Sequence, residues 1–243
     1  MQPITTIAAA SLLTASGACA YAALWPQSQL FGKVLVAPRR PRQVALTYDD
    51  GPNDIATERL LEVLARENVR ATFFMIGSFV RQRPQIARAV AAAGHVIGNH
   101  TMTHPWLPWQ SAARIHQELA DCNAALEDTL GTAVRLFRPP HGARRPYVLR
   151  AARELNLTTV QWNIIVSDWK PTTPAELLNR LERGIGRNRR RGKASNIVLH
   201  DGGDQGLGQP RLPTVEATAS LLQLCRSTST EFVTPLDWLA ATE

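Results

Sequence analysis

Hydrophobic and polar positions change their period repeatedly along the chain after residue 42. Short, nearly continuous apolar runs predict buried strands, and longer segments with apolar residues three or four apart predict amphipathic helices. The predicted strands cover residues 43–48, 71–76, 95–100, 134–140, 158–165, 195–201 and 231–234. The predicted helices cover residues 58–69, 84–94, 113–131, 172–184 and 214–224. Strands and helices therefore alternate through most of the chain.

Local signals mark the ends of two of these helices. Pro84 suits a first helical turn, and Gly94 suits a C-terminal cap of the same helix. Thr173 and Glu176 have the spacing of a capping box at the start of a later helix. Gly184 is predicted to end that helix.

Repeated strand–helix units predict an α/β fold with a parallel sheet and helices outside it. About seven units in roughly 200 residues favour a distorted, closed or nearly closed (β/α) barrel, with a doubly wound open sheet as the alternative. In a barrel, the reactive side chains gather where the strands end. The fold therefore predicts where chemical groups should occur in the sequence.

The composition fits one large globular domain, with 243 residues of which 44% are hydrophobic and 19% charged. The net charge is +7 and the pI is about 10.0. The basic run at residues 186–193 lacks aromatic residues and a surrounding binding motif, so we interpret it as a solvated loop. A basic surface suits an anionic envelope polymer or membrane face, and no nucleic-acid partner is expected.

Residues 4–24 form a mildly apolar run that precedes Lys33, the first charged side chain. The run is about long enough to cross a bilayer and predicts export. Ala18-Cys19-Ala20 resembles a cleavage site, whereas the basic cluster at residues 39–42 resembles the flank of a membrane anchor. A cleaved signal and an uncleaved anchor facing the periplasm or cell envelope remain open, with lipidation and a buried helix as further alternatives.

Two cysteines lie outside this segment. Cys122 shares an apolar helical stripe with Ile115, Leu119 and Leu126, which predicts a buried thiol. Cys225 lies in another helix-like segment, and a disulfide between the two stays open. So few cysteines do not indicate a disulfide framework, and no CxxC spacing indicates a metal site.

Groups capable of chemistry follow the predicted strands, as a barrel requires. The clusters are Asp49-Asp50, His100 with His104, Arg138-Pro-Pro-His-Gly142, Asp168-Trp169 and His200-Asp201. Their coincidence with strand ends indicates a single site.

His100 and His104 are four residues apart, so on a helical turn both imidazoles would face one side and could share a cation. The Glu of an HExxH motif is absent, which argues against a zinc protease. With an acidic residue from a neighbouring strand end, the pair becomes an Asp-His-His set with an open position, as a catalytic zinc requires. Two adjacent carboxylates then suit two tasks, because one can bind the metal while the other accepts a proton.

These motifs resemble the polysaccharide deacetylases of the NodB-homology group, carbohydrate esterase family four. The resemblance runs from about Gln43 to the C-terminus, so it implies a signal or anchor segment with a short basic linker at residues 1–42 and a catalytic domain at residues 43–243. The family's T-[FY]-D-D and H-[ST]-x-x-H motifs match Thr47-Tyr48-Asp49-Asp50 and His100 to His104. They imply Asp49 as general base. They also imply Asp50, His100 and His104 as ligands of one divalent metal, for which zinc is the expected ion and cobalt, nickel or manganese are alternatives.

Three further motifs match with departures. The R-x-P-[YF] motif becomes Arg138-Pro-Pro-His141, which implies that Arg138 orients the base and that the His141 backbone N–H stabilises an oxyanion. The D-[SA]-x-D-W motif keeps Asp168 and Trp169, which the resemblance places among the oxyanion- or substrate-binding residues, but replaces its first acid with Ile165. The L-x-H motif matches loosely at residues 198–200. It implies His200 as general acid, with Leu199 and Trp169 lining the pocket for the acetyl methyl group.

The resemblance implies hydrolysis of N-acetyl groups on N-acetylhexosamine residues of an envelope glycan, either peptidoglycan or a chitin-like polymer or oligosaccharide. An O-acetyl polysaccharide esterase of the same fold is one alternative. A catalytically silent glycan-binding protein is another, favoured only by Ile165, because the missing acid helps set the protonation of the catalytic histidine in the family.

Overall fold

The computed structural model of the protein describes residues 17–241. The strands in this part of the chain are β1 Gln43–Gly51, β2 Thr72–Met75, β3 Val96–Asn99, β4 Leu136–Phe137, β5 Thr158–Thr159, β6 Ile164–Ile165, β7 Ser195–His200 and β8 Glu231–Val233. The helices are α1 at residues 17–24, α2 Ala56–Arg66, α3 Gly77–Gln82, α4 Pro84–Ala92, α5 Ala112–Leu130, α6 Pro146–Glu154, α7 Pro174–Arg190, α8 Leu212–Cys225 and α9 Pro235–Ala240. Short 3-10 turns lie at Leu107–Trp109 and Pro140–Gly142.

The strands form one parallel sheet that curls into a nearly closed barrel. Their order is β5-β4-β3-β2-β1-β7-β6, and β8 pairs with the N-terminal end of β1. Helices connect most of the strands and cover the sheet, as parallel pairing requires. The predicted distorted (β/α) barrel of about seven strand–helix units is therefore confirmed.

The segment at residues 158–165 was predicted as one strand, and this prediction is wrong. β5 pairs with β4 at one edge of the sheet, whereas β6 pairs with β7 at the other edge. Leu35 lies at the gap, where its N–H donates to the Thr159 carbonyl at 2.9 Å and its carbonyl accepts from the Gln161 N–H at 2.8 Å. Residues 158–165 therefore pair with both edges of the sheet, because the sheet curls and brings those edges close together.

Helix α7 continues to Arg190, so the predicted stop at Gly184 is wrong. A Cβ atom at Gly184 would lie 3.0 Å from the Ile164 side chain, so this glycine allows the helix to pack closely on β6. Residues 186–190 of the basic run are helical rather than part of a loop. At the other end, the capping box is confirmed, because Thr173 and Glu176 each accept a backbone N–H from the other residue.

Three short helices, α3, α6 and α9, were not predicted. Helix α3 has six residues, too few to establish a helical period. Helix α6 starts with Pro146 in its first turn, and helix α9 starts with a capping box between Thr234 and Asp237. Capping signals therefore identify two elements whose hydrophobic patterns are too short to find.

Side-chain alternation along the strands separates an apolar outer layer from a more polar interior. Tyr48, Phe73 and Leu199 belong to the main core cluster, together with apolar residues of the surrounding helices. Full burial of one such side chain contributes about 1.5–3 kcal/mol of transfer free energy. Thr47 and Asp49 have the opposite orientation and contact Arg138 inside the barrel. Stability therefore comes mainly from the outer layer, which leaves the interior end of the strands available for polar groups.

The chain before β1 packs against this barrel. The Arg144 guanidinium donates to the carbonyls of Trp25 and Ser28 at 2.9 and 2.8 Å. Most of the apolar run at residues 4–24 lies outside the described residues, which begin at residue 17. Within residues 17–241, no helix combines the length and the hydropathy that spanning a bilayer requires.

Cys122 and Cys225 are both buried, free thiols. The predicted buried state of Cys122 is confirmed, and burial raises the pKa of its thiol to about 12. Neither residue forms a disulfide in the described part of the chain.

Candidate active site

The C-terminal ends of the strands surround a cavity of about 500 Å³, which we call the strand-end cavity. The predicted site residues that line it are Asp49, Asp50, His100, His104, His141, Trp169 and His200. They come from five separate segments of the sequence. The barrel therefore brings the chemical groups into one site.

A β-bulge at the end of β1 lets two adjacent carboxylates face this cavity. Neighbouring side chains on a regular strand point to opposite faces. The pairing with β2 shifts register between Asp49 and Gly51, and Asp50 has a left-handed φ of 71°. Such bulges re-aim side chains next to active sites. A Cβ atom at Gly51 would lie 2.4 Å from the Asp201 carboxylate, so the chain after the bulge requires glycine.

Asp50, His100 and His104 form a compact set of metal-binding groups. The Asp50 Oδ1 lies 3.3 Å from the His100 Nε2 and 3.2 Å from the His104 Nε2. The segment from His100 to His104 is not a helical turn, contrary to expectation, since Thr101 and His104 have φ values of 67° and 57°. The Thr101 hydroxyl accepts the His104 N–H at 3.0 Å and fixes this bend. The two imidazoles meet because of that bend rather than through helical spacing.

The protonation of these groups fits a bound cation. The His100 Nδ1 lies 2.7 Å from the Arg138 carbonyl, so this nitrogen carries the proton and donates it there. In the neutral ring, the Nε2 lone pair then faces the Asp50 carboxylate, whose Oδ1 is buried without a hydrogen-bond partner in the described structure. Burial alone would raise the pKa of Asp50, but hydrogen bonds from His100 and His104, when these imidazoles are protonated, hold the pKa well below its usual range. A divalent cation would satisfy these lone pairs together.

Asp49 contacts a different partner. Its Oδ1 accepts from the Arg138 guanidinium at 2.7 Å, and its Oδ2 lies 3.9 Å from the His100 Nε2. Arg138 is fully buried and also donates to the Thr47 hydroxyl at 2.7 Å. A buried charge costs several kcal/mol unless it is paired, so the Asp49 carboxylate is the partner that the buried guanidinium requires. The sequence places Arg138 correctly beside the expected base.

Arg138 is also enclosed by aromatic rings. Its guanidinium carbon lies 4.2 Å from the centre of the Phe74 ring and 5.6 Å from that of Trp162. Such cation–π contacts contribute about 0.5–2 kcal/mol each, depending on desolvation. They hold the guanidinium beneath Asp49.

His200 lies next to Asp49 on the neighbouring strand, because the two residues are partners in the pairing of β1 with β7. Its Nδ1 lies 2.8 Å from the Asp168 Oδ1, and its backbone N–H donates to the Asp168 Oδ2 at 2.8 Å. Burial alone would lower the pKa of His200, but the Asp168 carboxylate overcomes this effect and raises the pKa to about 9. The imidazole is therefore protonated at neutral pH.

Asp168 was expected at the oxyanion or substrate, and the structure corrects this assignment. Its side chain is fully buried behind His200 and does not line the cavity. The Thr214 hydroxyl donates to the same carboxylate at 2.9 Å. Asp168 therefore supplies the negative charge beside His200 even though Ile165 replaces the first acid of the motif.

The expected pocket position of Leu199 is wrong. Leu199 pairs with Tyr48 and belongs to the core between sheet and helices. Because side chains alternate along β7, Val198 and His200 face the cavity instead. Trp169 does line the cavity, where its ring meets the His200 ring edge-on at 5.1 Å.

His141 lies on the opposite wall of the cavity with a φ of 58°. Its ring stacks on Trp106 at 4.2 Å and meets the edge of His104 at 4.8 Å. Partial burial and the neighbouring histidines lower the pKa of His141 to about 4. A neutral ring is therefore expected at pH 7, and the backbone N–H is the donor that the motif assigns.

The structure adds residues that the sequence interpretation did not identify. Asp204 lies 3.6 Å from the His104 Nδ1 through its Oδ2, and Arg211 lines the same cavity. Both lie on the loop that follows β7, so their strand-end position was a usable signal. Trp106 stacks on His141, and the Thr214 hydroxyl donates to Asp168. Neither residue belongs to a matched motif, so the sequence did not indicate these contacts.

The comparisons with known proteins agree with this geometry. The family model described as polysaccharide deacetylase matches residues 37–160. A chitooligosaccharide deacetylase of Bradyrhizobium sp. (strain ANU 289) is 35% identical over 162 residues, covering 66% of this chain and 71% of the relative. The site thus occurs in a chain whose sequence matches deacetylases over most of its length.

Two solved structures are similar across most of the described fold. The Bc1960 peptidoglycan N-acetylglucosamine deacetylase has a TM-score of 0.75 and 29% identity, with coverage of 83% of this chain and 89% of that one. A family pseudoenzyme from Bacillus anthracis, BA3943, has a TM-score of 0.75 and 25% identity, with coverage of 85% and 69%. Active and inactive proteins therefore share this fold, and the site residues must decide between them.

Proposed function

The chain belongs to the polysaccharide deacetylase family, and from this we propose that it hydrolyses N-acetyl groups on N-acetylhexosamine residues of a cell-envelope glycan and releases acetate. It is a hydrolase of non-peptide carbon–nitrogen amide bonds. The observation that carries the proposal is the arrangement of Asp49 and His200 around the Asp50-His100-His104 set in one cavity.

Asp50, His100 and His104 would hold one divalent metal ion, and zinc is the expected metal. The buried, partnerless Asp50 oxygen and the facing imidazole nitrogens support this fit. Such an ion, when bound, polarises a carbonyl group and lowers the pKa of water. Cobalt, nickel or manganese also suit nitrogen and carboxylate ligands, so metal identity is a separate measurement.

Asp49 would act as general base and accept the proton of the attacking water. Its contact with Arg138 at 2.7 Å holds the carboxylate in position for this step. His200 would act as general acid and donate its proton to the departing amine. Asp168 supports this role, because its carboxylate keeps the imidazole protonated.

The walls of the cavity suggest how the acetamido group would be oriented. The His141 backbone N–H would donate to the developing oxyanion. Trp169, 41% exposed, and Val198 would contact the acetyl methyl group. The apolar surface excludes water from one side of the reacting carbon.

Ile165 does not by itself favour a silent binding protein. The motif acid that it replaces would set the protonation of the catalytic histidine, and Asp168 already supplies a carboxylate at 2.8 Å from the His200 Nδ1. The base, the acid and the ligand set are all present. These features support an active enzyme despite the similarity to a pseudoenzyme.

The site of action would be the cell envelope. Relatives include a chitooligosaccharide deacetylase and a peptidoglycan N-acetylglucosamine deacetylase. We propose further that the apolar run at residues 4–24 exports the chain, as an anchor facing the periplasm or as a cleaved signal. Retention of the protein in carbonate-washed membranes would support the anchor, and release would support cleavage.

The direct test compares matched acetylated substrates. We expect acetate release from N-acetylglucosamine oligosaccharides and from peptidoglycan, followed by enzymatic acetate assay, with free amines appearing in equal amount. His200→Ala serves as the control for contaminating activity. Turnover of an O-acetylated xylan with no release from any N-acetyl substrate would replace the amide hydrolase with the esterase. Binding without release from either class would favour the silent protein.

A further inference from the structure

A second cavity of about 580 Å³ adjoins the strand-end cavity, and we call it the basic groove. Trp162 and Ile165 line both cavities, so the two lie side by side and share these residues. The basic groove runs between α7 and residues 25–27 of the N-terminal segment. A substrate in the strand-end cavity could therefore extend into it.

Helix α7 gives the basic groove its charge. Arg180, Arg183, Arg187 and Arg191 line it and recur at intervals of three and four residues, which places them on one side of the helix. Lys193 follows them at the same wall. In the described part of the chain, none of these five cations forms an ion pair. No Asp or Glu lines the groove.

The shape of the basic groove suits a polymer. From Arg180 to Arg187 the helix advances about 10 Å, and Arg191 follows at its C-cap, so the row of cations is longer than a single small anion needs. Trp25, 51% exposed, provides an aromatic surface on the wall formed by the N-terminal segment. Cations and an exposed aromatic ring together can hold a charged chain with apolar ring faces.

The carboxylates of the site lie in the other cavity. Asp49, Asp50 and Asp204 line the strand-end cavity, whereas the charged residues that line the groove are all cations. Ile165, 48% exposed, stands at the junction where the family motif has an acid. An apolar residue there leaves no negative charge to repel an anionic chain that passes from one cavity to the other.

From this arrangement, we propose that the basic groove binds the carboxylate- or phosphate-bearing part of an anionic glycan strand while an N-acetyl group of the same strand occupies the strand-end cavity. The proposal rests on the proposed function and assigns polyanionic glycans as the substrates that bind most tightly. A membrane of anionic lipids is the main competing partner. The concave shape of the groove and its position beside the strand-end cavity favour the glycan, because a flat lipid surface would not follow the groove toward the site.

The test uses the full-length chain and two double variants with equal charge change. Arg183→Gln/Arg187→Gln alters the basic groove, and Arg189→Gln/Arg190→Gln alters residues of the same helix that do not line it. The probes are peptide-free peptidoglycan strands with free lactyl carboxylates, the same strands after methyl esterification, and neutral chitohexaose. Dissociation constants come from calorimetry at low ionic strength, and kcat/KM comes from acetate release.

We expect the groove variant to bind the carboxylate strands about tenfold more weakly, whereas the control variant stays within about twofold of wild type. Methyl esterification of the strands should weaken wild-type binding similarly and abolish the difference between variants. The kcat/KM for chitohexaose should change by less than about twofold in the control variant, because its replaced residues line neither cavity.

Equal weakening in both double variants would overturn the proposal, because it would indicate only nonspecific charge attraction. Unchanged glycan binding in the groove variant would also overturn it. If that variant instead loses binding to vesicles of anionic phospholipid, the groove is a lipid site. Failure of the proposed function is distinguishable, since wild type would then bind the carboxylate strands without releasing acetate from any probe.

Discussion

Asp49 and Asp50 are neighbours in the chain, but their surroundings assign them different tasks. Asp50 faces two imidazoles at 3.2–3.3 Å, whereas Asp49 contacts the buried Arg138 at 2.7 Å. The bulge at Asp50 lets both carboxylates enter one cavity. Variants of the two residues should therefore differ in metal content as well as in rate.

Replacing Asp49 with Asn should lower kcat by about 10²–10⁴-fold, because an amide cannot accept the proton of the attacking water. Metal content should remain near that of wild type, since Asp50, His100 and His104 are unchanged. Acetate release and mass spectrometry of bound metal measure the two properties on one sample.

Asp50→Asn is the matched control for that variant and should lose both metal and activity. Circular dichroism checks that both proteins are folded. Loss of metal in Asp49→Asn, with retention in Asp50→Asn, would reverse the assigned roles.

Replacing Asp168 with Asn should move the alkaline limb of the pH–rate profile to lower pH. His200 can donate a proton only while it is protonated, so wild-type activity should fall as the pH rises through the pKa of about 9. Without the Asp168 charge, burial lowers that pKa and the fall begins earlier. The profile of kcat/KM against pH measures the shift.

Thr214→Val is the matched control for the pH prediction. It removes a hydrogen bond to the same carboxylate but leaves the negative charge beside His200. Its alkaline limb should stay close to that of wild type. An unshifted limb in Asp168→Asn would mean that another group performs the acid step.

At single positions, the sequence predicted the location of the reactive side chains better than the location of the residues that surround them. The residues proposed as base, acid and metal ligands line one cavity, as expected of groups that follow strands. Leu199 was misassigned because the motif was applied without the alternation that turns it away from His200. Asp168 was grouped with the substrate because its contact with His200 depends on how the chain turns after β6.

At the scale of elements, Gly184 and Gly186 in α7 have different surroundings. A Cβ atom at Gly184 would lie 3.0 Å from Ile164, whereas the nearest heavy atom to one at Gly186 is the flexible Arg190 guanidinium at 3.5 Å. Both positions are inside the helix, where Ala is intrinsically favoured over Gly. Alanine at Gly186 therefore tests helix propensity alone, whereas alanine at Gly184 also tests packing against β6.

We expect Gly186→Ala to raise the free energy of unfolding by about 0.5–1 kcal/mol, through lower chain entropy in the unfolded state. Gly184→Ala should lower it by about 1–3 kcal/mol, because the added methyl group crowds Ile164. Urea unfolding measures both. A stabilised Gly184→Ala protein would show that α7 can move away from β6 without cost.

Element boundaries were the part of the fold that the sequence predicted least well. Glycine is a common residue at the end of a helix, so Gly184 was interpreted as a stop. The structure shows that a glycine is needed there because the helix packs closely on Ile164, which the hydrophobic period does not reveal. Residues 158–165 had the pattern of one strand, but the curled sheet divides them between two edges. In both cases, contacts with distant parts of the chain determine the boundary, and the local sequence pattern does not contain them.

At the scale of the whole molecule, metal binding should be separable from folding. The main core lies between the sheet and its helices, away from the Asp50-His100-His104 set. A chelated protein should therefore keep its far-ultraviolet circular dichroism. Its Tm should be lower, because a ligand that binds only the folded state stabilises it by about 2.7 kcal/mol at a hundred times its Kd.

Calorimetry at increasing zinc concentration measures this effect, and the Tm should rise progressively with free zinc. Asp50→Asn should show little of that rise. Unfolding of the wild-type protein on chelation would contradict the prediction, because it would make the metal a structural requirement.

The overall architecture was predictable because it follows from repetition. Alternating strands and helices predict a parallel sheet, and about seven units favour the barrel, in which groups after different strands meet. The basic groove was not predictable, since the run at residues 186–193 was interpreted as a loop. Only as part of a helix does Arg187 share a face with Arg183 and Arg180 beside the site.

The most direct test of the central claim is acetate release from an N-acetylglucosamine oligosaccharide by chelator-treated protein, before and after zinc is restored. We expect no release from the chelated protein, recovery with zinc, and no recovery in Asp49→Asn protein that has bound the same amount of zinc. Release that persists without metal, or that recovers fully in Asp49→Asn, would contradict a metal-dependent deacetylase with Asp49 as its base.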